Sequence, residues 1–103
     1  MSQSRRLMFR PGARVEIREA RLWYEAQVGG LGSRFLADLD ATLARVIEQP
    51  ASFRMVENAD GVRRALLKRF PYSLVYHLTP SGEIVVLACA HHRRDPNAWR
   101  LPP

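Results

Sequence analysis

Five basic and imidazole side chains in the second half of the chain have the chemistry to bind or cleave a phosphodiester. They are Lys68, Arg69, His91, His92 and Arg93. Metal-free cleavage of RNA requires a general base, a proton donor for the leaving oxygen, and cations that stabilise the phosphate charge. The cations are present, and the histidines with Tyr72 and Tyr76 are the candidates for proton transfer.

Each of these groups also has a purely structural interpretation. A histidine at a strand end often serves as a hydrogen-bonding residue, and Tyr76 shares a period-two strand face with apolar residues, which is typical of a core position. Arg93 and Arg94 precede Asp95, and an exposed ion pair there would contribute little stability. The structural interpretation of Trp99 is that its side chain covers the end of the sheet. Both interpretations stand at this point.

Metal and cofactor sites are not expected. The chain has one cysteine and three histidines, two of them adjacent, which is not a spaced ligand set for a metal. No glycine-rich phosphate loop and no Ser/His/Asp pattern is present. Cys89 lies within an apolar run and is expected to be a small buried side chain rather than a nucleophile.

The net charge is strongly positive and is unevenly distributed. The formal charge is +6. Residues 1–62 contain nine arginines and eight acidic residues, whereas residues 63–103 contain seven basic residues and two acidic ones. An excess of this kind favours an anionic partner, either a nucleic acid or an acidic protein segment.

The length of 103 residues predicts one domain spanning residues 1–103. No apolar run approaches the ~18 residues of a membrane span. The N-terminal residues lack the apolar segment of a signal peptide. We therefore expect a cytoplasmic protein that does not contact a membrane.

Three strands are predicted to carry the candidate site, at residues 63–69, 72–78 and 83–91. The Phe70-Pro71 pair separates the first two, because proline lacks the N–H that a ladder requires. The segment from Thr79 to Gly82 predicts a tight turn between the second and third. The last strand has an unbroken apolar run, so we expect it inside the sheet, and antiparallel pairing would bring charged strand ends onto one rim.

Two amphipathic helices are predicted before these strands, after a short edge strand at residues 7–9. The first begins at Pro11 and ends at Gly29-Gly30, and the second begins with Ser33 as its N-cap and ends before Pro50. The short loop predicts an antiparallel helical hairpin packed on one face of the sheet. The fold class is therefore α+β, in the order β-α-α-β-β-β, with a short helical turn at residues 95–100.

Three stretches of the chain resemble the RelE/ParE family of bacterial toxins from toxin–antitoxin pairs. They are WYEAQVGGLGSRFLADLDATLARVIEQP, RRALLKRFPYSLVYHL and EIVVLACAHHRRDPNAW. The resemblance covers about residues 8–100 and implies the fold described above. The combination of FPY, an apolar last strand and H-x-R-R-D-P-x-x-W is most similar to the ParE side of the family.

The resemblance implies two mechanisms. ParE-like members are associated with inhibition of DNA gyrase, and RelE-like members cut mRNA on the ribosome. RelE-like nucleases use a tyrosine near the C-terminus, whereas this chain has none after Tyr76, which favours the gyrase-type mechanism without catalysis. Other nucleases of the superfamily use a histidine at the end of the last strand, so His91 and His92 keep the RelE-like endoribonuclease as the alternative.

The resemblance also implies two partners. One is a small cognate antitoxin with an acidic amphipathic segment, bound in a hetero-oligomer; the other is the target, gyrase or the ribosome. The predicted antitoxin-binding residues are Trp23, Arg63, Arg64 and Tyr76, with the first of the three strands as a candidate sheet edge. The predicted target-binding residues are Arg63, Arg64, Lys68, Arg69, Arg93, Arg94 and Trp99.

Overall fold

The computed structural model describes residues 6–93. Its strands are β1 (Leu7–Phe9), β2 (Arg54–Met55), β3 (Val62–Leu66), β4 (Tyr72–Leu78) and β5 (Ile84–His91). The helices are α1 (Pro11–Gln27) and α2 (Leu31–Glu48), followed by a turn of 3-10 helix at Pro50–Ser52. The predicted α+β class and helical hairpin are confirmed. Within the described residues, no helix has the length and apolar character needed to cross a membrane.

The five strands form one mixed sheet in the order β1-β5-β4-β3-β2. Strands β3, β4 and β5 pair antiparallel, as predicted, and β1 adds to β5 in parallel. The interior position of β5 is confirmed. The prediction that the strand beginning at Arg63 forms a sheet edge is wrong at its start, because Arg54 and Met55 of β2 pair with Arg64 and Arg63.

Each face of the sheet has its own apolar cluster, and a bulge in β5 changes which residues of that strand reach each face. Val75 of β4 pairs with Ala88, but the next residue, Tyr76, pairs with Val86, so Leu87 is an additional residue. Leu87 and Ala88 consequently join the cluster on the face away from the helices, whereas Val86 joins the cluster under the helices. A bulge shifts the alternation of side chains in this way.

The helical hairpin covers one face of the sheet through the apolar stripes predicted from the sequence. Ala13 and Ala20 of α1 and Phe35, Leu39 and Val46 of α2 are buried in the main core. Leu36 and Leu43 of α2 are half-buried and pack against the cluster. Burial of this stripe holds the helices on the sheet through the hydrophobic effect.

The connection between the helices is fixed by Glu25, a residue of the first helix. Its carboxylate accepts the backbone N–H groups of Gly30 at 2.9 Å and Gly32 at 3.0 Å, at the start of α2. The predicted N-cap, Ser33, is wrong: α2 begins at Leu31 after Gly30, which has φ 90°. The donors at the helix start are therefore satisfied from the neighbouring helix. A Cβ on Gly32 would lie 2.7 Å from the Arg21 carbonyl oxygen, so the helices approach closely here.

Glu25→Gln is expected to make the melting temperature depend less on pH than it does in the parent protein, because the variant has no carboxyl to protonate at this position. The pKa of the Glu25 carboxyl lies below its ordinary value of 4.5, first because it accepts the N–H of Gly30 and then that of Gly32. A carboxyl whose pKa is lower in the folded than in the unfolded chain stabilises the fold above its ordinary pKa, and this stabilisation is lost as the pH falls through the folded pKa. The melting temperatures of parent and variant should differ near neutral pH and converge below pH 4.5.

Asp40→Asn is the matched control for this comparison, because it removes an exposed carboxylate of α2. A difference in melting temperature between parent and Glu25→Gln that is equal at neutral and acid pH would contradict the role assigned to Glu25.

Candidate functional site

The predicted phosphate-binding side chains meet at the end of the sheet formed by the β3–β4 connection and the end of β5. Tyr72 pairs with His91 across β4 and β5. The Leu67 N–H donates to the Tyr72 carbonyl at 2.9 Å, and the His92 N–H donates to the Pro71 carbonyl at 2.9 Å. These contacts place the 67–71 turn beside the end of β5. We name the resulting surface the basic rim; its residues are Lys68, Arg69, His91, His92 and Arg93.

The basic rim is held in place by Asp38, a buried carboxylate of α2. One oxygen, Oδ1, accepts the Lys68 N–H at 3.1 Å; the other, Oδ2, accepts the N–H groups of Arg69 at 2.8 Å and Phe70 at 3.1 Å. The predicted strand at residues 63–69 is wrong at its end, because the ladder stops at Leu66. Asp38 accepts the backbone N–H groups of residues 68–70, whereas the side chains of Lys68 and Arg69 are exposed.

Four aromatic rings attach the same turn to the helical hairpin. Phe35 of α2 lies 5.4 Å from Phe70 and 5.2 Å from Tyr72, measured between ring centroids. Tyr24 of α1 lies 4.8 Å from Phe70 and 5.6 Å from Phe35. The Tyr24–Phe35 pair is stacked and the other three pairs are edge-to-face, and both arrangements at these distances add to the stability that burial provides. These contacts hold the 67–71 turn against the helical hairpin.

Arg63 and Arg64 lie away from the basic rim. They pair with Tyr76 and Val75 in the middle of β4, several residues from the 67–71 turn. Arg63 is half-buried, and its Nη1 donates to the Phe53 carbonyl oxygen at 2.8 Å. The register of β3 therefore separates Arg63 and Arg64 from the basic rim, and their part in target binding stays a prediction.

Tyr76 is a core residue. Its side chain is fully buried, and its hydroxyl donates to the Pro50 carbonyl oxygen at 2.5 Å. Burial raises the pKa of Tyr76 to about 12. The assignment of Tyr76 to a partner surface is therefore corrected, and its hydroxyl is also removed from the candidates for proton transfer.

Two imidazoles and one phenol remain among the proton-transfer candidates. The His91 Nδ1 accepts the Arg93 backbone N–H at 3.0 Å, so this nitrogen is already engaged by a donor of the chain itself. The Tyr72 ring contacts the His91 ring edge-on at 5.1 Å. His92 is exposed at the rim. Residues 6–93 contain no group of three His, Cys, Asp or Glu side chains that could hold a metal ion.

A cleft lies between α1 and the basic rim. Its volume is about 500 Å³, and its lining comes from one helix and two strand ends. Glu16, Glu19, Trp23, Tyr72, His91 and Arg93 contribute side chains to it. The Trp23 side chain is 59% exposed, so it offers an aromatic surface to a partner. Arg94, Trp99 and the predicted helical turn at residues 95–100 lie outside the described residues.

Sequence analysis missed Asp38, although its position contained a usable signal. It lies on the same helical face as Phe35 and Thr42, three and four residues away, where an apolar residue is expected. An acidic residue at a buried helix position needs hydrogen-bond donors. Asp38 could therefore have been predicted to receive a partner, but the sequence does not say that the donors come from 30–32 residues later.

Comparisons with known proteins agree with the fold. The sequence model described as "ParE toxin of type II toxin-antitoxin system, parDE" matches residues 7–96. A structure of a chromosomal ParDE toxin–antitoxin system from P. aeruginosa superposes with a TM-score of 0.64 at 19% identity, covering 87% of this chain and 98% of the other. The E. coli DinJ–YafQ toxin–antitoxin complex gives a TM-score of 0.63 at 13% identity, with coverages of 87% and 94%. No curated protein matches the chain significantly. The match to the sequence model over most of the length shows that this chain belongs to the ParE toxin family of type II toxin–antitoxin systems.

Proposed function

We propose that this protein is a cytoplasmic toxin that arrests bacterial growth by binding DNA gyrase through its basic rim, without catalysis. The observation that carries the proposal is the rim itself, on a chain of the ParE toxin family. The exposed side chains of Lys68 and Arg69 are presented by a turn whose backbone N–H groups Asp38 accepts, and the exposed Arg93 follows the end of β5 beside that turn. Arginine binds carboxylate and phosphate groups in bidentate fashion, so the rim suits an anionic surface of a target.

The side chains available for proton transfer favour binding of a target by the basic rim over cleavage of RNA. The Tyr76 hydroxyl is buried and bonded to a backbone carbonyl. The His91 Nδ1 is already an acceptor for a backbone N–H. The tyrosine that RelE-like nucleases use near the C-terminus has no counterpart in this sequence, which has no tyrosine after Tyr76. We therefore assign the rim cations to binding.

A second candidate is a RelE-like, ribosome-dependent mRNA endoribonuclease. The observation favouring it is that His91 and His92 lie on the same rim as Lys68, Arg69 and Arg93, so cations and imidazoles share one surface. In that case the rim would bind the mRNA backbone, and His92 would be the exposed proton-transfer group.

We propose further that a cognate antitoxin neutralises the toxin in a hetero-oligomer. Exposed apolar side chains on α1 would pack against an amphipathic helix of the antitoxin: Val15 is 52% exposed, Leu22 47% and Trp23 59%. The β2 strand at the sheet edge, with Arg54 and Met55 exposed, would pair with an extended antitoxin segment. The formal charge of +6 favours an acidic segment.

Expression of the chain alone in a bacterium is expected to stop growth, and co-expression of the small protein encoded beside it is expected to restore growth. The physical reason is that an antitoxin helix on α1 would lie beside the basic rim, because one cleft is lined by both Trp23 and Arg93, and would hinder the target from reaching the rim. Optical density and plating efficiency after induction measure both effects. Normal growth at confirmed soluble expression would contradict a working toxin.

A further inference from the structure

Among the residues that the structure describes, the lining of the cleft between α1 and the basic rim has a net charge opposite to that of the protein as a whole. The carboxylates of Glu16 and Glu19 lie one helical turn apart in its wall. Arg93 is the basic side chain among the described residues that line it. The described lining therefore carries two negative charges against one positive charge, on a chain whose formal charge is +6.

The remaining lining consists of aromatic surface and fixed polar atoms. Trp23, Tyr24 and Tyr72 contribute rings, with the Trp23 and Tyr24 centroids 5.1 Å apart in an edge-on arrangement. Glu16 is anchored because its Oε1 accepts the Cys89 N–H at 3.0 Å. The His91 Nδ1 accepts the Arg93 backbone N–H, which orients the His91 ring beside the cleft.

Aromatic faces beside carboxylates form an environment that suits a guanidinium group. A cation within about 6 Å of an aromatic ring is attracted by the ring face, most strongly by tryptophan, and arginine is the usual partner. Arginine also forms bidentate hydrogen bonds with a carboxylate. A phosphate or carboxylate ligand would instead face Glu16 and Glu19 as like charges. A volume of about 500 Å³ is ample for one long side chain and the backbone that carries it.

We propose that this cleft binds an arginine side chain presented by a segment of a partner protein. That the segment belongs to the antitoxin rests on the proposed function, whereas the chemistry of the cleft does not. An acidic amphipathic segment would then be anchored at one point by a basic residue, which fixes its register on α1. Arg93 lines the same cleft, so its positive charge would oppose that of the incoming guanidinium.

The test is a fluorescence titration of the full-length protein in a Trp99→Phe background, which leaves Trp23 as the one tryptophan of the chain. The probes are N-acetyl-arginine amide, N-acetyl-glutamate amide and guanosine monophosphate. We expect a saturable change in Trp23 emission with the arginine amide, at a Kd of about 1 mM or above, as befits a single side chain. Neither anionic probe should produce it.

Two substitutions should move this Kd in opposite directions, which a loss of folding cannot imitate. Glu19→Gln should weaken arginine binding about threefold, and Arg93→Ala should strengthen it by a similar factor, as expected for exposed charge pairs. Glu48→Gln is the control, because Glu48 is an exposed acid at the far end of α2.

Three results would overturn the inference: no saturable change with the arginine amide, a response to the glutamate amide or the nucleotide in its place, or an arginine Kd that neither substitution alters. Absence of growth arrest by the chain would instead reject the proposed toxin function, and the titration would still stand.

Discussion

Asp38→Ala is expected to lower the free energy of unfolding by about 3 kcal/mol, because it removes three hydrogen bonds to a charged acceptor and leaves their donors without a partner. The side chain is 8% exposed, so the lost contacts are not replaced fully by water. For a domain of this size the melting temperature should fall by about 10–20 °C. Chemical denaturation and thermal melting both measure the change.

Two further variants test whether the loss of stability comes from the Asp38 carboxylate itself. Asp38→Asn keeps one acceptor oxygen but turns an amide N–H₂ toward backbone donors, so its stability should lie between those of the parent and Asp38→Ala. Asp40→Ala removes an exposed carboxylate two residues later on the same helix and should change stability by about 0.5 kcal/mol or less. A loss below about 1 kcal/mol for Asp38→Ala would mean that other contacts hold the 67–71 turn.

Replacement of Lys68, Arg69 and Arg93 together by alanine is expected to abolish growth arrest while the fold is kept. All three side chains are exposed, so each change should alter stability by about 0.5 kcal/mol or less. The backbone contacts of Lys68 and Arg69 with Asp38 do not involve their side chains and remain possible in the variant. Growth after induction and circular dichroism of the purified protein measure the two effects.

The matched control removes three positive charges elsewhere. Arg18, Arg34 and Arg54 are exposed and lie outside the basic rim, so their replacement by alanine changes the net charge equally. This control should remain toxic in the absence of antitoxin. If the folded rim variant is as toxic as the parent, the target-binding surface lies elsewhere, and the helical hairpin becomes the next candidate.

The sequence predicts most of the fold because the apolar spacing is clear in the long elements. The stripe through Phe35 and Leu39 and the apolar run of β5 indicate which surfaces are buried, and burial decides how the layers pack. The turn at Thr79–Gly82 is likewise predicted by its residue types. Its geometry agrees: the Gly82 N–H donates to the Thr79 carbonyl at 2.9 Å, and Gly82 has φ 88°.

The errors occur where a contact with a distant part of the chain overrides a local signal. Ser33 is a good N-cap by residue type, but Glu25 of the preceding helix supplies the acceptor and α2 begins earlier. The strand predicted at residues 63–69 ends earlier than its composition indicates. Asp38 accepts the backbone N–H groups of Lys68, Arg69 and Phe70, which are therefore not part of the strand ladder. Strand β2 has two residues, too few for any periodicity to appear.

One part of the candidate site can likewise be predicted from the sequence, and another part depends on contacts that the sequence does not reveal. The grouping of Lys68 and Arg69 with His91, His92 and Arg93 follows from antiparallel pairing, which sequence can anticipate. The separation of Arg63 and Arg64 from that rim depends on the register of β3 with β4, which the sequence leaves open. The burial of Tyr76 depends on which face of β4 the helices cover.

A DNA supercoiling assay with purified gyrase, run beside a translating extract, tests the central claim most directly. The proposal predicts that the parent protein inhibits supercoiling, that the Lys68, Arg69 and Arg93 variant does not, and that mRNA in the extract stays intact. Unimpaired supercoiling together with mRNA cleavage that disappears in the same variant would contradict the gyrase proposal and support the endoribonuclease.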